Sequence, residues 1–358
     1  MYVIGKTGTG KSTLLKMMVL QDIHAGRGVC LLDPHGDLSA DILESIPDNS
    51  RADVTYLDTP NGNWTFNPFH QVAPGQEALA VAELIEVFKK LWTDEWGPRL
   101  EHLLRNVLFT LLEIPGSTLA DIQPLLTNKK HREKVTEWIL NDEVRTFWAK
   151  EYAAYSGPFR AVVTAPLQNK IGALLTDPRM RAILTAETSS FDLRTVIDEG
   201  KALIVNLSRG RIGEGPAQLL GGLLAARIGL TGLARADRPE RTRRDFALVL
   251  DEFQMFSTES FASMLSELRK YRVSLVLANQ YLGQLEPRVC DAVVGNVGTV
   301  VCFRLSAEDA SYFAREMPEF SPRDFVSLPN FNVYMRLMID GEVSRPFSAE
   351  TIVETFLP

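Results

Sequence analysis

Cysteine is scarce: Cys30, Cys290 and Cys302 stand far apart, with no Cys-x-x-Cys pair. Their odd number and spacing exclude a disulfide scaffold and a zinc ribbon, and lead us to expect buried thiols in a reducing cytoplasm. An excess of basic charge is also missing. The formal net charge is −7, so the chain is no histone-like polycation, and any contact with DNA must come from local patches or loops. The longest apolar stretch, Leu219–Ala234, is interrupted by Arg227 and by four glycines, so neither a spanning helix nor a signal peptide is expected. Repeats and low-complexity tracts are absent, and the densest charge run, Arg235–Asp245, reads as a solvated connector. With 358 residues and 45% hydrophobic content, the chain can bury the core of one large domain or two ordinary ones.

What is present is alternation. After an apolar Met1–Ile4 and a Gly-rich loop, helical spacing runs to about His24, and Gly28–Asp33 and Asp53–Asp58 read as strands around a helix near Leu38–Ile46. This pattern predicts a mostly parallel sheet with helices on both faces. From Gln76 to about Ile183 nearly every segment has helical apolar spacing, broken at Gly97-Pro98, Pro115-Gly116 and Gly157-Pro158. An all-α insertion over residues 76–190 is therefore expected inside an α/β domain formed by residues 1–75 and 191–358. Apolar strands resume at Ala202–Ser208, Phe246–Phe253, Val273–Gln280 and Thr299–Leu305, as central parallel strands should. The last, Val333–Asp340, alternates and runs into Asp340-Gly341, which predicts an antiparallel edge strand and a hairpin turn. Trp92, Trp96, Trp138, Phe147 and Trp148 fall at helical spacing inside the insertion and read as core in preference to a base-stacking platform. The run Asn128–Lys134 reads as a solvated helix start before a phosphate contact.

The chemistry begins at "GKTGTGKST". Gly5, Gly10, Lys11 and Ser12 satisfy G-x-x-x-x-G-K-[ST] between an apolar strand and an apolar-periodic helix. In such a loop the backbone from Gly5 through Thr7, Gly8, Thr9 and Gly10 to Thr13 wraps phosphates at a helix N-terminus, Lys11 reaches the terminal phosphates and the Ser12 hydroxyl binds Mg2+. Gly8 and Gly10 are needed where a Cβ would collide with the phosphates. "LVLDEF" carries Asp251 and Glu252 to the C-terminal end of a strand, placing Asp251 on Mg2+ and Glu252 on the attacking water; taken alone, the pair could equally cap a helix. Gln280 ends the next strand and can point at the γ-phosphate or its water. Arg269 and Lys270 close the intervening helix, where they suit the helix dipole; Arg269 is alternatively an arginine finger for a neighbouring subunit, and Arg304 is a second candidate for that role. Guanine reading needs N-K-x-D, and "NKKH" at Asn128 and "NKIG" at Asn169 lack the aspartate, which leaves ATP as the nucleotide. Asp33 and His35 lack a third metal ligand, so Asp33 and Asp37 are expected to shape a turn and cap the next helix.

Together the P-loop, "DPHGDL", the helical insertion, "NLSRGRIGEGPAQLLGGLLAARI", "LDEFQMF" and "LRKYRVSLVLANQ" resemble the HerA/FtsK superfamily of ring ATPases. The resemblance is closest to the TraG/TraD-like coupling proteins of conjugative type IV secretion. It implies a RecA-like α/β fold, ATP and Mg2+ at Lys11 and Ser12, Asp251 and Glu252 as the acidic pair, Gln280 as sensor and Arg269 acting between subunits. It also implies a homohexamer that moves DNA through a central channel and meets relaxase or other secretion proteins. Coupling proteins of this kind usually carry an upstream spanning segment, and only four residues precede Gly5 here, so membrane contact is expected through upstream segments alone. Two alternatives to a DNA motor are a protein-directed secretion ATPase and a nucleotide-switched recruitment platform.

Overall fold

Runs of Val, Leu and Ile without polar alternation belong in the middle of a sheet covered on both faces. In the computed structural model, which describes residues 1–265 and 267–352, such runs form β1 (Tyr2–Ile4), β2 (Gly28–Asp33), β4 (Ala202–Asn206) and β5 (Phe246–Leu250), all wholly buried. They join β3 (Val54–Asp58), β6 (Val273–Asn279), β7 (Val300–Cys302), β8 (Asn332–Arg336) and β11 (Phe347–Glu350) in a nine-stranded sheet of order β11-β8-β7-β1-β6-β5-β2-β4-β3. The pairs from β7 through β1, β6, β5 and β2 to β4 are parallel, while β8 is antiparallel to both β7 and β11. The thiols of Cys30 and Cys302 are buried within it. The first helix, α1 (Lys11–His24), turns Leu15, Val19, Leu20 and Ile23 onto Val3, Val29, Leu31 and Val276. Each such side chain contributes about 1.5–3 kcal/mol relative to exposure.

The expected edge strand is not at the edge. Val333–Asp340 splits into β8 and β9 (Met338–Ile339), which pairs with β10 (Glu342–Val343) in a separate hairpin. Asp340 and Gly341 form its turn at φ 50° and 88°, the positive values a type I′ turn demands. The edge belongs to β11, whose FSAE sequence is largely exposed and carries no alternating apolar signal.

Two compact units emerge. One comprises 1–57, 194–210 and 235–358 and holds most of the sheet; the other comprises 58–193 and 211–234. The helical unit therefore differs from the expected 76–190 at its start and by the addition of a second chain segment. The added segment is the helix Glu214–Ala234, which packs on the helix Glu77–Leu91. It is apolar on nearly every side, and by length and composition alone it could cross a membrane. In this fold 78% of its most apolar stretch is buried, as for a core helix. Its Arg227 is buried too, donating to the carbonyls of His70 and Gln71 at 2.9 and 3.0 Å, and burial pulls its pKa down to about 10.

Within this unit Trp92, Phe147 and Trp148 are core residues, and Trp148 Nε1 donates to Thr110 Oγ1 at 2.8 Å. Trp138 departs from expectation. It ends the helix Lys129–Trp138 and is 75% exposed, because the chain turns away there and buries Ile139 instead. The start of that helix is solvated, with the Asn128 side chain accepting from His131 N–H.

Candidate functional site

Parallel register decides which strand ends meet. Ile4 lies opposite Asn279 and Cys302, and Leu250 opposite Leu277 and Leu32. Gly5, Asp251 and Gln280, each the residue after its strand, therefore leave the sheet at one carboxyl edge, where open α/β sheets hold ligands.

The loop from Gly5 runs into α1 through Gly8 at φ 75° and Gly10 at φ 115°, left-handed values that favour glycine. At Gly10 the structure adds a reason absent from the sequence: a Cβ there would sit 2.9 Å from Phe331 Cδ1 and 3.1 Å from Phe303 Cε1. No side chain caps the N-terminus of α1, and its first turn holds no acid, so its N–H groups and the positive end of the helix dipole are available to an anion. Lys11 is buried and folds back on the loop, Nζ donating to the carbonyls of Gly5 at 2.5 Å and Lys6 at 3.2 Å. Burial lowers its pKa, while the Glu252 and Asp251 carboxylates push the other way.

A cavity of about 990 Å³ opens over the loop; its lining includes Thr7, Gly8, Gly10, Lys11, Ser12 and Thr13, then Asp251, Glu252, Gln280 and Phe331, with Lys16, Met17 and the segment from Asp33 to Asp41 contributing Asp33, His35, Asp37, Leu38 and Asp41. Gly5 and Thr9 are not on its wall; the Thr9 hydroxyl braces the loop by donating to Lys6 O at 2.7 Å. Glu252 and Gln280 meet on the cavity wall: Gln280 Nε2 donates to Glu252 Oε1 at 2.8 Å. The other carboxylate oxygen, Oε2, accepts from Gln254 Nε2 at 2.6 Å. Glu252 itself sits at φ 48°, ψ 49°, a left-handed geometry that costs a non-glycine residue about 1 kcal/mol and that occurs preferentially at functional sites. This residue turns the chain after β5 into the short helical turn Phe253–Met255, which brings Gln254 back beside it.

Asp251 is buried, and its pKa is pushed up to about 7, chiefly by desolvation and then by the nearby Glu252 and Asp33 carboxylates. A buried carboxyl in that state is a site short of positive charge. With the Ser12 hydroxyl on the same wall it offers hard oxygen donors of the kind Mg2+ takes alongside phosphate and water, so the residues present fit the ion.

Asp33 shapes the turn after β2, its carboxylate accepting from the backbone N–H groups of His35 at 2.9 Å and Ser39 at 2.8 Å. Asp37 is the first residue of the following helix, Asp37–Ser45. Arg269 lies outside the cavity, exposed on the turn Leu268–Tyr271. Arg304 is half-buried, donating to Leu328 O at 3.3 Å, and its carbonyl accepts from Lys6 N–H at 2.9 Å.

Residues 1–319 match the family described as the type IV secretion-system coupling protein DNA-binding domain. The chain belongs to that family. No curated protein matches it. Among solved structures, the conjugative coupling protein TrwBdeltaN70 with sulphate superposes with a TM-score of 0.64 at 16% identity, over 99% of this chain and 86% of the other. TrwB in complex with ADP and Mg2+ gives 0.62 at the same identity and the same shares. VirB4 of Thermoanaerobacter pseudethanolicus gives 0.64 at 16% identity, over 99% of this chain and 89% of that one. The fold of this coupling-protein domain is thus the RecA-like P-loop NTPase fold, a mostly parallel sheet accompanied by a helical unit.

Lys16, Met17 and Asp41 on the cavity wall carried no motif, and neither did Phe331 or the Glu252 partner Gln254. Gln254 lies beyond the end of β5, and only the left-handed turn at Glu252 and the short helical turn after it bring its side chain back onto the Glu252 carboxylate. Phe331 lies far from every motif in sequence, and a lone aromatic after Pro329-Asn330 carries no recognisable signal.

Proposed function

We propose that this domain hydrolyses ATP with Mg2+ and uses the cycle to drive DNA transfer as a homohexamer, with nucleotide sites completed at subunit boundaries. The observation that carries the reading is the meeting of Lys11, Asp251, Glu252 and Gln280 on one cavity over the phosphate loop. DNA as the partner follows from the family to which residues 1–319 belong.

In this scheme the α1 N-terminus and the loop N–H groups hold the phosphates, and Lys11 exchanges the carbonyls of Gly5 and Lys6 for phosphate oxygens. Ser12 and Asp251 would hold Mg2+, which would supply neutralising charge on the phosphates. TrwB has been solved with an ATP analogue and with ADP and Mg2+, which supports an adenine nucleotide and Mg2+ as the ligands here. Glu252, freed from one of its two carboxamide partners, orients the attacking water and receives its proton at the released oxygen. Gln280 is then free to follow the presence or loss of the outermost phosphate. Arg269 is proposed as a finger for the next subunit, acting only when a second copy is present; its exposure outside the cavity of its own chain is compatible with that role. Relaxase or another secretion protein is proposed as the cargo adaptor.

The test is ATP turnover of assembled protein with and without single- or double-stranded DNA. Stimulation by DNA supports the motor. Turnover indifferent to both, in a hexameric preparation, rejects it in favour of a protein-directed secretion ATPase.

A further inference from the structure

We infer that Phe331 is the platform for the base of the bound nucleotide. The inference rests on the nucleotide reading of the cavity and names a residue beyond the 1–319 family match. Among the described lining residues Phe331 is the only Phe, Tyr or Trp, and it is half-buried. Its Cδ1 would lie 2.9 Å from a Cβ at Gly10, so the ring stands beside the last loop residue before α1, where the loop passes into the helix N-terminus. A nucleotide whose phosphates occupy the loop must lead its sugar and base away from that point, and the ring edges that exit.

The backbone is built to hold the ring there. Phe331 adopts φ 65°, a strained value for a bulky side chain. Its N–H donates to Thr9 O at 2.8 Å, and its carbonyl accepts from Thr351 N–H at 2.7 Å and Thr351 Oγ1 at 3.0 Å. The phosphate loop and the end of β11 thus fix one residue between them, through backbone groups that do not depend on the ring. A phenyl face stacks on any base and makes no hydrogen bond that distinguishes one purine from another. The platform therefore sets affinity for nucleosides and leaves adenine and guanine nearly equivalent.

The experiment compares two probes, ATP and inorganic tripolyphosphate, each with Mg2+, by calorimetry on the full chain. In Phe331→Ala the Kd for ATP is expected to rise about 5- to 100-fold, as loss of one stacking contact predicts, while the Kd for tripolyphosphate stays within about twofold. Phe331→Trp should restore ATP binding, and Phe331→Leu, which keeps bulk without a π face, should not. Equal weakening of both probes would overturn the inference and make Phe331 a brace for the loop. Unchanged ATP affinity would overturn it as well. Should wild type bind neither probe, the nucleotide reading fails first and takes this one with it. If wild type binds both probes and Phe331→Ala changes neither, only the role of Phe331 fails and the nucleotide reading stands.

Discussion

Neutralising Asp251 should make the unliganded protein more stable and its liganded form less so. In the fold this carboxyl has a pKa of about 7, against about 4 in an unfolded chain, with burial the leading cause. The native state therefore holds more protons than the unfolded state between about pH 4 and pH 7, and stability must fall as pH rises through that window. Three pKa units correspond to about 4 kcal/mol at 1.36 kcal/mol per unit, an upper figure that solvent and relaxation will reduce. Asp251→Asn removes the titration and keeps an oxygen for the N–H of Glu252, which donates to Asp251 Oδ1 at 3.1 Å. The variant should thus unfold at a higher temperature than wild type at pH 8, by a margin that closes toward pH 4. Saturating Mg2+ and ATP should reverse the order at pH 8, since the wild-type carboxylate gains its cation and the amide does not. All five tryptophans lie in the helical unit, so their fluorescence follows the wrong body. Calorimetry, with hydrogen exchange at the β5 amides, reads the right one. Parallel stability curves for the two proteins from pH 4 to pH 8 would rule out a raised native pKa at Asp251.

Lys11→Ala should lose nucleotide affinity, whereas Glu252→Gln should bind ATP and cut turnover by 100-fold or more; equal turnover in both variants and wild type, by phosphate release, would reject the site. Arg269→Ala should lower turnover with ATP affinity nearly intact, and mixing it with Lys11→Ala subunits should partly restore activity if the finger acts in trans. Turnover per subunit that is independent of protein concentration would count against this. In the helical unit, Trp138→Ala should change stability by no more than about 0.5 kcal/mol, because the ring is 75% exposed. Trp148→Ala should cost about 3–5 kcal/mol and leave the Thr110 hydroxyl without its indole donor, a contrast that unfolding in urea would measure.

The chain's own order of residues determined the chemistry and most of the secondary structure. A spacing such as Gly5 to Ser12 is local, and so is the buried run that delivers Asp251 to a strand end; both are legible because the physics acts over a few neighbouring residues. The sheet followed for the same reason, since uninterrupted apolar runs such as Leu31-Leu32 and Val249-Leu250 have no stable place except between two covered faces. Tertiary structure alone decided the rest. Trp138 has the same helical spacing as Trp148, and only the turn of the chain at Ile139 separates the exposed one from the core. The helical unit recruits Glu214–Ala234 because the faces of two helices complement each other across more than a hundred residues. Register brought Gln280 to Glu252, the left-handed turn brought Gln254, and a strained Phe331 arrived beside Gly10 from the far end of the chain. These placements depend on contacts between segments remote in sequence, for which no local pattern is a record.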